Sequence, residues 1–368
     1  MDVCIRGAGI VGRALALLLA RERLRVGLVV PPRDKGAAGR PDVRAYALNL
    51  ASRNLLDSVR CWPDPVAATP VLHMKVSEDL GGEVNFDAAQ LGTQALTWIV
   101  DVPVLEGQLA DAVRFQPQIE LLDAPAPAEL TVVCEGKASS TRAEFGVDFE
   151  VTPYAQHAIA ARIACEKPHE QIARQWFSLG EILAFLPLGG AAGNSVAIVW
   201  SVSPEHANKL LHLSPEDFCL ELQATSQHCL GQLTLASERA VWPLQKAQAR
   251  QWTGRTAAGA WALAGDAAHN VHPLAGQGLN MGLADVSELA RLIRERDYWR
   301  LVGDDKILRR FERSRKTGML PMAAGTDGLQ WLFSQNGQLW TTLRNWGMNR
   351  IDRNGLLKQW LARQAMDF

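Results

Sequence analysis

The chain predicts an α/β fold, and three features of the sequence predict it. MDVCIRGAGIVGRALALLLARERLRVGLVV opens with a short apolar strand, a glycine turn, an apolar helix and a second strand. GAWALAGDAAHNVHPLAGQGLNMGLADVSELARLIRER, far down the chain, returns to a short apolar strand, a glycine loop and a long helix. Between them lie stretches with period-two alternation of apolar and polar residues. Together these describe a Rossmann-like dinucleotide domain built from discontinuous pieces, an inserted mixed β-sheet domain, and helices toward the C-terminal end.

Bulk composition narrows the function. The 368 residues suffice for two domains, and 48% hydrophobic with 21% charged content is that of an ordinary globular protein. A net charge of -1 produces no global field to recruit nucleic acid or anionic lipid, which argues against a DNA or RNA binder. Six cysteines (4, 61, 134, 165, 219 and 229) are scattered without a C-x-x-C pair or a histidine at metal spacing. They read as buried apolar residues of a reducing compartment, and no metal site is expected. Asp2 and Arg6 precede or interrupt the first apolar run and no small-residue cleavage site follows, so no signal peptide is expected. Residues 182–202 are uncharged for long enough to mimic a membrane span, but PLGGAAGN in their middle breaks them into two strands and a turn.

The elements follow in order. DVRAYALN (42–49) leads into an amphipathic helix ending near Trp62, and VLHMKVSE and EVNFDA alternate like strands of a second sheet. Residues 102–114 have helical apolar spacing. ELTVVCEGKASSTR (129–142) is a strand running into a glycine turn. From Tyr154 to about Trp252 strands alternate with helices, one of them capped by Ser214 in HLSPEDFCLELQATS. Beyond Phe311 helix is expected to the end, carrying Trp331, Phe333, Trp340, Trp346 and Trp360.

Gly7, Gly9 and Gly12 have G-x-G-x-x-G spacing in the strand-to-helix context that gives this pattern meaning. The first allows a tight turn, the second lets a pyrophosphate approach the backbone, and the third lets helix pack on strand, with the helix N-terminus attracting the anion. One part departs from the pattern. The acidic residue that ends the second strand and binds the adenosine ribose is replaced by Val30-Pro31-Pro32, and Asp34 comes late.

Four blocks carry a family resemblance: GAGIVG at 7–12, RAYAL at 44–48, CEGKASSTR at 134–142 and GDAAHNVHPLAGQGLNMGLAD at 265–285. With them the chain resembles the FAD-dependent aromatic hydroxylases, and within these the hydroxylases of ubiquinone biosynthesis. The last block matches the H-P-L-A-G-Q-G-x-N-x-G-x-x-D signature at every fixed position. The resemblance implies that the Rossmann-like domain binds FAD, through Gly7, Gly9 and Gly12, Arg44 against the phosphates or flavin, and Gly265-Asp266 against the ribityl hydroxyls. It places residues 273–278 along the isoalloxazine, with backbone N–H groups of Ala275, Gly276, Gly278, Leu279 and Asn280 around its pyrimidine edge. His272 and Pro273 shape that loop and are catalytic candidates, as is Tyr154 at the start of a substrate-sheet strand; His269 is a second proton-relay candidate. Glu135 stands where the family has aspartate in a block linked to FAD and NAD(P)H, and Arg142 serves phosphate or pairs with Glu135.

The resemblance assigns residues 1–68, 99–150 and 253–325 to the FAD domain, 69–98 and 151–252 to the substrate sheet, and 326–368 to a C-terminal helical region. It implies a monooxygenase that hydroxylates a polyprenyl-phenol ring with NAD(P)H and dioxygen, since no side chain can perform that chemistry. Strands 182–188 and 196–200 offer surfaces for the polyprenyl tail, with ordinary sheet core as the competing account. The protein is expected to be cytoplasmic, meeting its substrate through peripheral contact with a membrane or biosynthetic complex. Against the family pattern, 114–131 lacks a three-stranded meander. A flavin halogenase is excluded by the absence of W-x-W-x-I-P. The surviving rival is a flavin-fold scaffold subunit without turnover, favoured by the missing ribose acid, by Glu135 and by the lost meander, and opposed by the intact glycine loop.

Overall fold

The computed structural model describes residues 1–30, 42–78, 81–178, 180–190, 192–270 and 277–334, with backbone alone for 320–334. Its described strands form three sheets.

A six-stranded sheet runs in the order Thr253–Thr256, Gly259–Leu263, Leu130–Val133, Val3–Arg6, Val26–Val29, Ile119–Leu122. All neighbours pair in parallel except the first two. Parallel strands are covered on both faces, and these are nearly continuous apolar runs: Val3, Ile5, Leu28, Leu130, Val132, Ala262 and Leu263 are fully buried or within a percent of it. Helix Ile10–Arg21 covers one face, joined by Val102–Arg114, which begins and ends as its apolar spacing predicts. Helix Gln277–Arg294 packs on Ile10–Arg21 with Leu283, Val286, Leu289 and Ile293 buried. The 114–131 connection holds the edge strand Ile119–Leu122 and no meander.

A larger mixed sheet is ordered His269–Asn270, Ala240–Ala249, Phe149–Cys165, Ser195–Val202, Glu181–Leu188, Ile172–Ser178, His73–Glu78, Glu83–Asp87, with Leu233–Leu235 also paired to Phe149–Cys165. Strands Glu181–Leu188 and Ser195–Val202 are an antiparallel hairpin, as the glycine-rich interruption predicts. Leu183, Phe185, Ile198 and Trp200 on one face pack under helices Pro204–His212 and Pro215–Thr225, the latter capped by Ser214. Leu188 and Ala197 on the other face pack against Val71, Ala88 and Ile99. Both faces are therefore closed, and the hairpin is core rather than a wall for a polyprenyl tail.

The third sheet, Ala45–Leu48, Thr97–Asp101, Ala68–Val71, sits between the other two. The alternating region around 69–98 is thus shared: its ends pair here, and only its middle joins the large sheet. The helix after Asn49 spans Leu50–Ser58 and stops short of Trp62, whose ring instead meets Trp98 edge-on at 6.0 Å. Across the layers, Arg162 on Phe149–Cys165 donates to Asp101 at 2.6 Å. Among the described residues no helix is long and apolar enough to cross a membrane.

Candidate active site

Strand order in the parallel sheet reverses at Val3–Arg6, flanked by Val26–Val29 and Leu130–Val133. Such a switch point leaves a crevice at the carboxyl ends of the strands. A cavity of about 520 Å³ lies there, within the range usual for small-molecule and cofactor sites. Residues 9–11, 136–137, 265–266 and 278–279 line it from the parallel-sheet side, with Arg44, Tyr46 and Glu106. Trp242, Leu244 and Gln245 of the large sheet supply the opposite wall.

The three turn glycines differ in what holds them. Gly7 has φ +109°, and a Cβ there would lie 2.5 Å from the Cys134 carbonyl oxygen. Gly12 is demanded by contact: its Cβ would sit 1.9 Å from the Gly7 carbonyl oxygen. Gly9 is demanded by nothing among the described residues. Its φ of -77° and ψ of -173° suit any residue, and an added Cβ would meet no atom of the described residues within 4 Å. Gly9 is also the N-cap of Ile10–Arg21 with no side-chain cap bond, so the N–H groups of the first turn face the cavity. Open space beside uncapped N–H groups fits an anionic ligand that must come close to the backbone.

Gly265, at φ +62°, turns the chain so that Asp266 faces the same cavity. Burial pushes the Asp266 carboxyl above the ordinary carboxylate range, opposed by Lys137, His269 and Arg44. That carboxyl has no hydrogen-bonded partner among the described residues, so it is available to the hydroxyls of a ligand. These features fit FAD: uncapped N–H groups for a diphosphate, and a carboxylate for a polyol.

Behind the cavity, Asp285 of Gln277–Arg294 is completely buried. Its Oδ2 accepts from the Gly265 N–H at 2.9 Å and from His269 Nε2 at 2.6 Å, and its Oδ1 from Arg315 Nε at 2.8 Å. Burial raises the Asp285 pKa, but His269 and Arg315 outweigh it and the net shift is downward. One carboxylate thus clips both ends of the 265–269 turn to two helices. His269 stacks on Trp252 with centroids 4.8 Å apart and does not line the cavity.

Other expectations resolve differently. Arg44 lines the cavity, but its Nε and Nη2 bond Asp42 at 2.9 and 2.5 Å. Arg142 neither pairs with Glu135 nor faces the cavity. It donates to the carbonyls of Gly136, Lys137, Asp266 and Ala267 and lies 3.6 Å from the Phe149 ring centroid, clamping the two loops together. Glu135 instead takes Arg6, Ser139 and Thr141; burial raises its pKa, but these partners bring it below the ordinary value. Gly278 and Leu279 line the cavity, whereas the Asn280 side chain points elsewhere. Its Nδ2 donates to the Ala47 carbonyl at 2.8 Å and its Oδ1 accepts from Asn49 N and Ser52 Oγ, tying the helix to the middle sheet. Tyr154 lies on Phe149–Cys165 where its pairing shifts register, away from the cavity lining. His272, Pro273, Ala275 and Gly276 fall outside the described residues.

Comparison with known proteins decides the family. Residues 124–316 match the family model described as FAD binding domain. The 3-demethoxyubiquinol 3-hydroxylase of Escherichia coli (strain K12) is 30% identical, the match covering 99% of this chain and 98% of that protein. The chain belongs to the FAD-dependent aromatic hydroxylases. This chain is also 30% identical to ubiquinone hydroxylase UbiL of Rhodospirillum rubrum, over 99% of this chain and 89% of that one. Its fold is that of PqsL, a probable FAD-dependent monooxygenase from Pseudomonas aeruginosa, with a TM-score of 0.75 at 21% identity over 95% of this chain and 99% of PqsL. Missed from the sequence of the hydroxylase were Glu106, Lys137 and Trp242 at the cavity and Arg315 behind it. Asp285 did carry a signal, as the closing aspartate of the signature matched at 272–285.

Proposed function

We propose that this hydroxylase places one oxygen atom of dioxygen on the ring of a polyprenylated phenol in ubiquinone biosynthesis, with FAD as cofactor and NAD(P)H as reductant. The relatives named above support the reaction class and the pathway. The single observation that carries the cofactor is Gly9, which has no side chain although none of the described residues fills the space beside it.

Bound FAD supplies the redox and oxygen chemistry, which the protein's side chains lack. The chain's own residues bind, orient and exclude. N–H groups of the Ile10–Arg21 first turn receive the diphosphate, and Asp266 accepts from ribityl hydroxyls. Bound flavin would gain from the positive end at the start of Gln277–Arg294; His272, Pro273, Ala275 and Gly276, outside the described residues, would complete the flavin site by the family resemblance. Trp242 and Leu244 close the far wall with apolar surface that keeps water from the reacting ring. In this proposal 1–68, 99–150 and 253–325 form the cofactor domain, 69–98 and 151–252 the substrate sheet, and 326–368 a C-terminal helical region. An insoluble polyprenyl substrate calls for peripheral contact with a membrane or a biosynthetic complex.

A scaffold without turnover has no use for the open space at Gly9 or for a half-buried Asp266 with no hydrogen-bonded partner among the described residues. Two experiments test the proposal. Purified protein should be yellow and consume NAD(P)H in air; colourless folded protein that refuses added FAD refutes flavin binding. Deleting the gene should accumulate a quinone precursor one oxygen short, identified by mass spectrometry, and an unchanged quinone pool refutes the ubiquinone assignment alone.

A further inference from the structure

We infer that Lys137 is the side chain that neutralises the FAD diphosphate, an inference that rests on the flavin site proposed above. A diphosphate brings two negative charges into a confined space, and helix N–H groups offset them only with partial charge. Among the described residues, the cationic side chains lining the cavity are Arg44 and Lys137. Arg44 is already engaged by Asp42 through both Nε and Nη2. Lys137 has no hydrogen-bonded or ion-paired side-chain partner among the described residues. Glu106 and Asp266 line the same cavity, and neither carboxylate has a hydrogen-bonded partner among the described residues. Without Lys137, an anionic ligand would meet two carboxylates and one compensated arginine.

Position supports the same role. Arg142 donates to the carbonyls of Gly136 and Lys137 and also to those of Asp266 and Ala267. The loop bearing Lys137 is thereby held to the turn that presents Asp266. Among the charges acting on the Asp266 carboxyl, Lys137 is the strongest. Diphosphate and ribityl chain are adjacent in FAD, so an ammonium near Asp266 on a flexible stem is in range of the phosphates.

The test uses the full-length apoprotein, titrated with FAD or riboflavin and followed by flavin fluorescence. Lys137→Met keeps the stem and removes the charge; Lys137→Arg keeps the charge. Lys137→Met should raise the FAD dissociation constant roughly tenfold or more, the loss expected for one charge-assisted hydrogen bond. It should leave riboflavin, which has no phosphate, unchanged, and Lys137→Arg should stay near wild type. Added salt should weaken FAD binding more in wild type than in Lys137→Met. Equal FAD affinity in wild type and Lys137→Met overturns the inference, as does parallel loss of FAD and riboflavin. A raised KM for NAD(P)H with unchanged FAD affinity also overturns it and moves the lysine to the reductant. Wild-type protein that binds no flavin fails at an earlier step, and with it falls the proposed function itself.

Discussion

Replacing Gly9 with alanine should separate ligand binding from folding. The residue already has a negative φ, and a Cβ there touches none of the described residues. In the apoprotein the loss of unfolded-chain freedom, about 0.4–1 kcal/mol of stabilisation, is offset by alanine's poorer fit at an N-cap, so stability should change by less than about 1 kcal/mol. With FAD present the methyl group occupies the space into which the diphosphate must move. Overfilling a close-packed contact costs about 1–3 kcal/mol, which corresponds to roughly 5- to 150-fold weaker FAD binding. Gly12→Ala is the contrast, because its Cβ would lie 1.9 Å from a backbone oxygen and the Ile10–Arg21 helix must lift to admit it. That variant should lose apoprotein stability and cofactor together. Urea melts of both apoproteins and fluorescence titrations with FAD provide the two readouts. If Gly9→Ala melts as early as Gly12→Ala, or binds FAD as well as wild type, the open space at Gly9 is not the approach path of the ligand.

Further outcomes follow from the buried interactions. Asp285→Asn should cost about 3–5 kcal/mol in urea melts, because the buried His269 and the partly buried Arg315 keep their donors and lose a fully buried charged acceptor. The Asp285 pKa is lowered in the folded protein, so its contribution is complete above the unfolded value near pH 4 and disappears as pH falls through the folded value. Melts from pH 7 down to pH 3 should accordingly show a shallower acid loss in Asp285→Asn than in wild type; equal slopes would place the acid sensitivity elsewhere. Arg162→Met should destabilise by about 1–3 kcal/mol through loss of its charge-assisted bond to Asp101, read by the same melts. The cysteines should resist thiol reagents in native protein at pH 8 and all react in urea. Five of the six are buried, and burial pushes the Cys165 thiol up to about 12 and that of Cys134 beyond it.

Legibility in the sequence followed the range of the interaction. The glycine turn, helix Val102–Arg114, the Ser214 cap and the 182–202 hairpin each rest on residues within one or two turns or one loop of each other, and the structure shows all of them. The middle sheet was not legible. Ala45–Leu48 and Ala68–Val71 both pair with Thr97–Asp101, and no local pattern marks three strands so far apart as partners. Arg142 shows the same limit in chemistry. Its block places Glu135 nearby in sequence, yet the guanidinium is bound by carbonyls from a turn 124 and 125 residues away while Arg6 takes the carboxylate.

The departure at Val30-Pro31-Pro32 is a question of charge at the cavity, and charge there is assembled from four separate segments: Asp42–Arg44, Glu106, Lys137 and Asp266. Losing one acid at the end of the second strand removes a hydroxyl acceptor without changing the requirement that a diphosphate find a cation. Glu106, on the helix that packs against Ile10–Arg21, presents a carboxylate without a hydrogen-bonded partner among the described residues to the same space. If Glu106 replaces the missing acceptor, Glu106→Gln should weaken FAD binding by a few-fold while leaving binding of FMN, which lacks the adenosine, unchanged. Equal effects on FAD and FMN would instead place Glu106 against the ribityl chain, and no effect on either would leave the adenosine ribose without a carboxylate from this helix.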